Sequence, residues 1–280
     1  MTMTPTEDSG PRLIRYADTR KVVWGDPAVG YLADWFYVRN EKLQVNIFGM
    51  PPGGRAGHSA DANAIFGADE AFYLLQGEML LGNPQTGELH RVVAGETSFF
   101  RKDTWNNIFN VGTGSVLGLE FFHPSSAVGT GSAYARSQPP LQGPAKYGRD
   151  ELIGQWPMKM AQAREEATMW VIREQDYLWR LEGEASRLQV GIIASTEHAT
   201  VGKLYLQPGQ RTEDRVHPGE ALVFLEHGTM HVELAESGEW YELTPWDGFH
   251  LPEGVPHRFW NPTSEKVSAV FAVGPDYLPS

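Results

Sequence analysis

The 280-residue chain contains no cysteine. Disulfides, thiolate metal ligands and a cysteine nucleophile are therefore excluded. No run of 18 apolar residues occurs, so no membrane-spanning helix is expected. Positive charge is scarce: 23 Lys and Arg stand against 35 Asp and Glu, a net charge of −12. Such a surface disfavours nucleic acid and anionic membrane, and neither is expected as a partner. Residues 1–20 are polar, with Asp8, Arg12, Arg15 and Asp18, and lack the apolar core of a signal peptide. A cytoplasmic location is the expectation. No phosphate-binding glycine loop and no nucleophile elbow occurs in a fitting context.

What is present favours strands. Hydrophobic residues make up 41% of the chain, with 30 Gly and 19 Pro as punctuation. Residues 43–48, 71–75, 79–81, 97–100 and 116–122 are short and rich in β-branched or aromatic side chains. Turn clusters such as Pro51-Pro52-Gly53-Gly54 separate them. The pattern returns at 188–193, 201–206, 221–225, 230–234, 248–251 and 267–273. Between the halves, 125–148 is rich in Gly, Ser and Pro and reads as a linker. Residues 158–169 have helix-forming composition. Trp156, Trp170 and Trp179 in this region are expected to pack the halves or subunits together.

The halves also align residue by residue. Subtracting 151 sets Asp247 on Glu96, His257 on Asn106, Asn261 on Asn110, Gly228 on Gly77 and Ala221 on Glu70. Such self-similarity indicates a duplicated unit. In the second half, Pro252, Gly254, His257 and Asn261 form a Pro-x-Gly-x-x-His-x-x-x-Asn run. Pro252 and Gly254 are turn formers, and His257 would open the next strand. This run resembles the second sequence motif of the cupin superfamily. With the repeat, it implies a bicupin: all-β, two tandem cupin (double-stranded β-helix, jelly-roll) barrels with a short helical linker. The expected division is 1–124 for the first barrel with an N-terminal arm, 125–184 for the linker, and 185–280 for the second barrel.

The resemblance implies a metal held by two histidines and a glutamate of the first motif, joined by the second-motif histidine. This chain departs from that set in both halves. The second half keeps Gly209, His217 and Gly228 at family spacing, but has Arg215 for the first histidine and Ala221 for the glutamate. The first half keeps Glu70 and Gly77, with Ala64, Phe66 and Asn106 at the histidine positions. Pro52 precedes Glu70 by 18 positions, whereas Pro208 precedes Ala221 by 13.

His217 and His257 are therefore the expected metal pair, with Glu220 as third ligand if a β-bulge turns it inward. Glu213 and Asp214 are further options, and the other reading has both histidines hydrogen-bonded in a metal-free pocket. Arg215 either binds a carboxylate or enolate oxygen of the substrate or lies on the surface. Glu220 and Arg215 are the candidate catalytic residues, and Arg215 and His250 the candidate substrate-binding ones. Glu70 is either a buried general acid or base, or a structural carboxylate bonded to Asn106. His58 falls in the inserted loop and is expected to be solvated.

The cofactor implied is a divalent metal ion, Fe first, with Mn, Ni or Zn as alternatives, or none if the site is vestigial. The function implied is a dioxygenase-type oxidoreductase acting on a small organic, possibly aromatic, acid in the second barrel. A lyase or isomerase using the same pocket and a non-enzymatic small-molecule binder are the alternatives. A homo-oligomer is expected.

Overall fold

A computed structural model describes residues 10–58, 63–124, 133–141, 143, 146–185 and 187–278. Part of the expected linker, 125–132, lies outside the described residues. Four antiparallel sheets make two barrels. The first barrel joins a seven-stranded sheet to the four strands Arg55–Ala56, Asn107–Asn110, Glu78–Asn83 and Glu88–Val93. The second joins a seven-stranded sheet to Trp240–Leu243, Met230–Leu234 and His257–Trp260. The fold is all-β with short helices, of which Met160–Glu165 falls inside the expected helical stretch.

The sheets do not respect the linear division of the chain. Arg12–Ile14, from the N-terminal arm, pairs with Gly248–Leu251 of the second barrel. Reciprocally, Met169–Ile172, from the linker, pairs with Thr97–Phe100 of the first. Each barrel thus takes one edge strand from the segment that precedes the other. Strands of three and four residues carry no readable alternation, so sequence alone does not reveal the exchange. The linker also supplies Leu178–Glu182, which pairs with Leu188–Ser195.

Equivalent acids lock the two crossing segments. Arg15 Nη1 donates to Asp247 at 2.6 Å, and Arg173 Nε donates to Glu96 at 2.7 Å. The acids are the pair related by the 151-residue offset. The repeat shows in the backbone too: Gly77 and Gly228 have φ of +88° and +90°. A side chain at either position would be strained there and would crowd Ser115 or Val267. Asn110 and Asn261 clamp their turns alike, each donating from Nδ2 to at least two carbonyls and accepting a backbone N–H.

The large sheets pack face to face, so their central strands are buried on both sides. Along Glu220–His227, Ala221, Val223 and Leu225 join the core of the second barrel. Leu222 and Phe224 join a core shared with Tyr37, Ile47 and Tyr73 of the first. This explains the nearly continuous apolar run. It also assigns each residue from Glu220 to Leu225 to one face, because side chains alternate there.

A buried cation crosses the shared core. Lys203 Nζ lies 2.7 Å from Glu226 and donates to Tyr73 Oη at 2.8 Å. Ser268 donates to the same carboxylate at 2.9 Å. The ammonium is thus surrounded by an ion pair and hydrogen bonds, which offset its removal from water.

Candidate functional site

His217 and His257 come together in the second barrel. His257 opens its strand directly after the Pro252–Gly254 turn, and its backbone bonds reciprocally with Arg215, at 2.8 and 2.9 Å. That pairing sets the loop of Arg215 and His217 beside the His257 strand. The two rings are 5.4 Å apart. Both are buried, His217 at 8% exposure and His257 at 1%.

Their tautomers are set by backbone carbonyls. His217 Nδ1–H donates to Tyr277 O at 2.8 Å and His257 Nδ1–H to Val255 O at 2.9 Å. Each Nε2 therefore carries a lone pair, and that of His257 is buried with no partner. Burial pushes the His217 imidazole down to about 4 and that of His257 to about 3, so both are neutral near pH 7. Neutral imidazoles oriented through Nδ1 are the usual form of a histidine metal ligand. The pair fits a divalent ion as two of its ligands.

The structure does not bring Glu220 to this pair. Its strand runs in regular register there, Glu220 opposite Gly274 and Ala221 opposite Val273; the bulge lies further on, between Leu225 and His227. Ala221 faces the barrel, so Glu220 faces the seam between barrels. There His250 Nε2–H donates to Glu220 Oε1 at 2.6 Å, and Asn40 donates to the same atom. Burial would raise this carboxyl, but the two hydrogen bonds hold it below the usual range. His250 shares that face because Phe249 and Leu251 occupy the inner one. Glu220 and His250 thus pair with each other, on the far side of the sheet from His217 and His257.

Arg215 lies beside the pair, with 13% of its side chain exposed. Its Nη2 donates to Glu182 at 2.8 Å and to Tyr277 Oη at 3.0 Å. The anion offsetting the guanidinium is therefore Glu182, rather than Glu220 or Glu213. Glu213 caps the backbone of Glu184 and Ala185, and Asp214 pairs with Arg258. Tyr277 also donates to Glu182 at 2.8 Å and stacks on His217 at 4.9 Å. Glu182 and Tyr277 carry no motif signal: one lies in the linker strand, the other 20 residues beyond His257. A cavity of about 520 Å³ opens over Glu182, Arg215, His217 and Tyr277, with Arg180 and Arg187 also in its lining. Among the described residues, no group of three or more His, Asp or Glu side chains is placed to hold a metal ion.

The first barrel differs. Asn106 N donates to Ala64 O at 3.1 Å, matching the bond from His257 N to Arg215 O. Ala64 therefore stands where spacing places it, and the extra residues precede it. Glu70 is 1% exposed, and its Oε2 and the Nδ2 of Asn106 are both buried without partners. Burial raises the Glu70 carboxyl well above its usual range, with Glu120 and Asp69 adding to the effect. His58 is half-buried rather than solvated. Its Nδ1 accepts from Ala64 N at 2.9 Å and its ring meets the edge of Trp105 at 4.8 Å.

Residues 202–273 match the family described as Cupin domain. The tandem barrels supply the rest of the observation. The fold is that of a bicupin, two cupin barrels in tandem. Solved structures similar to the bicupin include a Pseudomonas aeruginosa protein described as glyoxylate-induced, with a TM-score of 0.68 and 14% identity over 100% of this chain and 94% of that one. The S161A mutant of Bacillus subtilis oxalate decarboxylase gives a TM-score of 0.65 and 16% identity over 98% and 80%. AerE from Microcystis aeruginosa gives 0.59 and 9% over 91% and 97%. At these identities the likeness is one of fold. A search of curated proteins found no match. No helix among the described residues is long and apolar enough to cross a membrane.

Proposed function

We propose that the second barrel binds a small organic acid beside a divalent ion held by His217 and His257, and acts on it as a dioxygenase-type oxidoreductase. The observation that carries this reading is the buried, unpartnered Nε2 of His257 beside a second imidazole with the same tautomer. When bound, the ion supplies Lewis acidity and, if it is iron, a redox centre. His217 and His257 hold it, Fe first and Mn, Ni or Zn next, and leave its other positions to ligand oxygens. Tyr277 keeps His217 in place by stacking, and Phe259 packs its ring 5.0 Å from His257. Four arginines, Arg180, Arg187, Arg211 and Arg215, line the cavity against the three acids Glu182, Glu213 and Asp214, and this excess of one positive charge supports an anionic substrate. Oxalate decarboxylase, a fold neighbour, is named for a small dicarboxylate, which accords with an acid of this size. Self-association through the edge strand Leu178–Glu182 belongs to the same reading, since Leu178 and Leu181 are 66% and 64% exposed there.

One observation favours a second reading, a non-enzymatic binder of the same acid: the carboxylate ligand is missing, because Glu220 faces the seam. Metal analysis on protein purified without a His-tag separates the two. Stoichiometric metal that disappears in His257→Ala is expected. Metal retained after both His217→Ala and His257→Ala overturns the assignment. A metal-free protein holding an organic acid selects the binder.

A further inference from the structure

Gly57 and His58, which follow the strand Arg55–Ala56, line a cavity in the first barrel. Strand alternation sets Ala56 and Ile108 in the barrel core, so their neighbours Arg55, Gly57, Asn107 and Phe109 face outward. Tyr147 of the linker packs over this outer face, its ring 5.0 Å from Phe109 in an edge contact. The cavity, of about 340 Å³, lies beside this contact. That volume is within the range of small-molecule sites. It lies on the other side of the small sheet from the first barrel's core.

Its polar groups are held in place yet incomplete. The Ala64 N–H donates to His58 Nδ1, so Nε2 carries the hydrogen. Burial lowers the imidazole to about 4, which keeps it a neutral donor. That Nε2 and the Oδ1 of Asn107 are both buried and unpartnered. Gly57 leaves room: a side chain there would stand 3.6 Å from Asn107 Oδ1. Arg55 Nη2 is anchored on Ala28 O at 2.8 Å, which leaves the guanidinium's remaining N–H groups for a ligand. Phe109 and Tyr147 add flat apolar walls.

The geometry points to a second ligand site here, for a planar carboxylate that also bears a hydroxyl or amino donor. Arg55 and His58 Nε2–H take the carboxylate, Asn107 Oδ1 accepts from the donor, and the ring lies against Phe109 and Tyr147. This site does not depend on the metal pair or on the function proposed for the second barrel.

Calorimetric titration with 4-hydroxybenzoate tests it, with benzoate and cyclohexanecarboxylate as comparisons. Benzoate lacks the donor and cyclohexanecarboxylate lacks the flat face. Saturable binding is expected in the order 4-hydroxybenzoate, benzoate, cyclohexanecarboxylate. Arg55→Ala, at an exposed position that tolerates truncation, is expected to weaken 4-hydroxybenzoate about tenfold or more, the scale of one charge-assisted hydrogen bond. Asn107→Ala is expected to erase the preference for 4-hydroxybenzoate over benzoate, and His257→Ala to leave the Arg55-dependent binding unchanged. No saturable binding up to about 10 mM, far weaker than useful small-ligand affinity, overturns the proposal. So does binding that survives Arg55→Ala or is lost in His257→Ala, which places the acid in the second barrel.

Discussion

Arg15 and Asp247, 232 positions apart, form an ion pair of 2.6 Å that ties the N-terminal arm to the second barrel. Asp247 is 3% exposed and also accepts from the N–H groups of Tyr16 and Thr244. Arg15 is the more exposed partner, with 43% of its side chain in solvent. Arg15→Ala should therefore cost only about 1 kcal/mol, since solvent screens the pair. Asp247→Ala removes several hydrogen bonds at once and should cost about 3 kcal/mol. Urea denaturation of both variants checks the order; equal losses would mean that the arm is not held by this carboxylate.

Arg215→Ala should act on stability. It removes the closer of two cations beside Glu182, whose side chain is 8% exposed, and leaves Arg180 Nε at 3.4 Å, so a loss of about 2 kcal/mol is expected. Adding Glu182→Gln should recover most of that loss, because the carboxylate that Arg215 balanced is then gone. Thermal unfolding of the single and double variants measures this. Failure of the second change to restore stability would remove Glu182 as the balancing anion.

Glu70→Gln should leave turnover and ligand affinity intact. Burial already favours the protonated acid, and an amide has the same shape. Stability should stay equal or rise. A rate loss of about a thousandfold, the scale of a lost general acid or base with its positioning, would move the chemistry into the first barrel.

Two buried groups should give stability opposite pH slopes. Burial raises the Asp34 carboxyl, against the effects of Arg39 and of a hydrogen bond from Asn46, and the neighbouring Glu120 is raised too. The folded form of Asp34 holds a proton that the unfolded chain releases near its ordinary value of 3.8. Its contribution therefore falls as pH rises above that value. Burial pushes the His123 imidazole the other way, to about 4. Its unfolded form binds a proton first, so its contribution falls as pH drops from 6.5 towards 4. Melting temperatures of wild type, Asp34→Asn and His123→Leu between pH 4 and 8 test the signs. The wild-type curve minus that of Asp34→Asn should fall with pH, and minus that of His123→Leu should rise. A flat difference for either variant would show that its group does not titrate differently on folding.

Lys203→Ala should destabilise the seam between barrels by about 3 kcal/mol, by leaving Glu226 unpaired. Lys203→Met with Glu226→Gln should restore most of it. Chemical denaturation monitored by tryptophan fluorescence checks both, and a neutral Lys203→Ala would remove this pair from the forces joining the barrels.

Local sequence determined a good deal of this molecule. The 151-residue repeat established two like units, because Gly77 and Gly228 need positive φ and Asn110 and Asn261 must clamp equivalent turns. The Pro252–Asn261 run and the spacing from Gly209 to Gly228 set His217 and His257 in one barrel, since a turn and a strand start are local events. Tertiary structure decided the rest. Whether Glu220 faced the metal pair depended on one step of strand alternation, and only the packing of Ala221 inward and Leu222 against the first barrel resolved it. Glu182 and Tyr277 became neighbours of Arg215 through pairings between distant segments, which no spacing encodes. The same holds for the exchange of Arg12–Ile14 and Met169–Ile172: strands this short acquire their place from the sheet edge they complete.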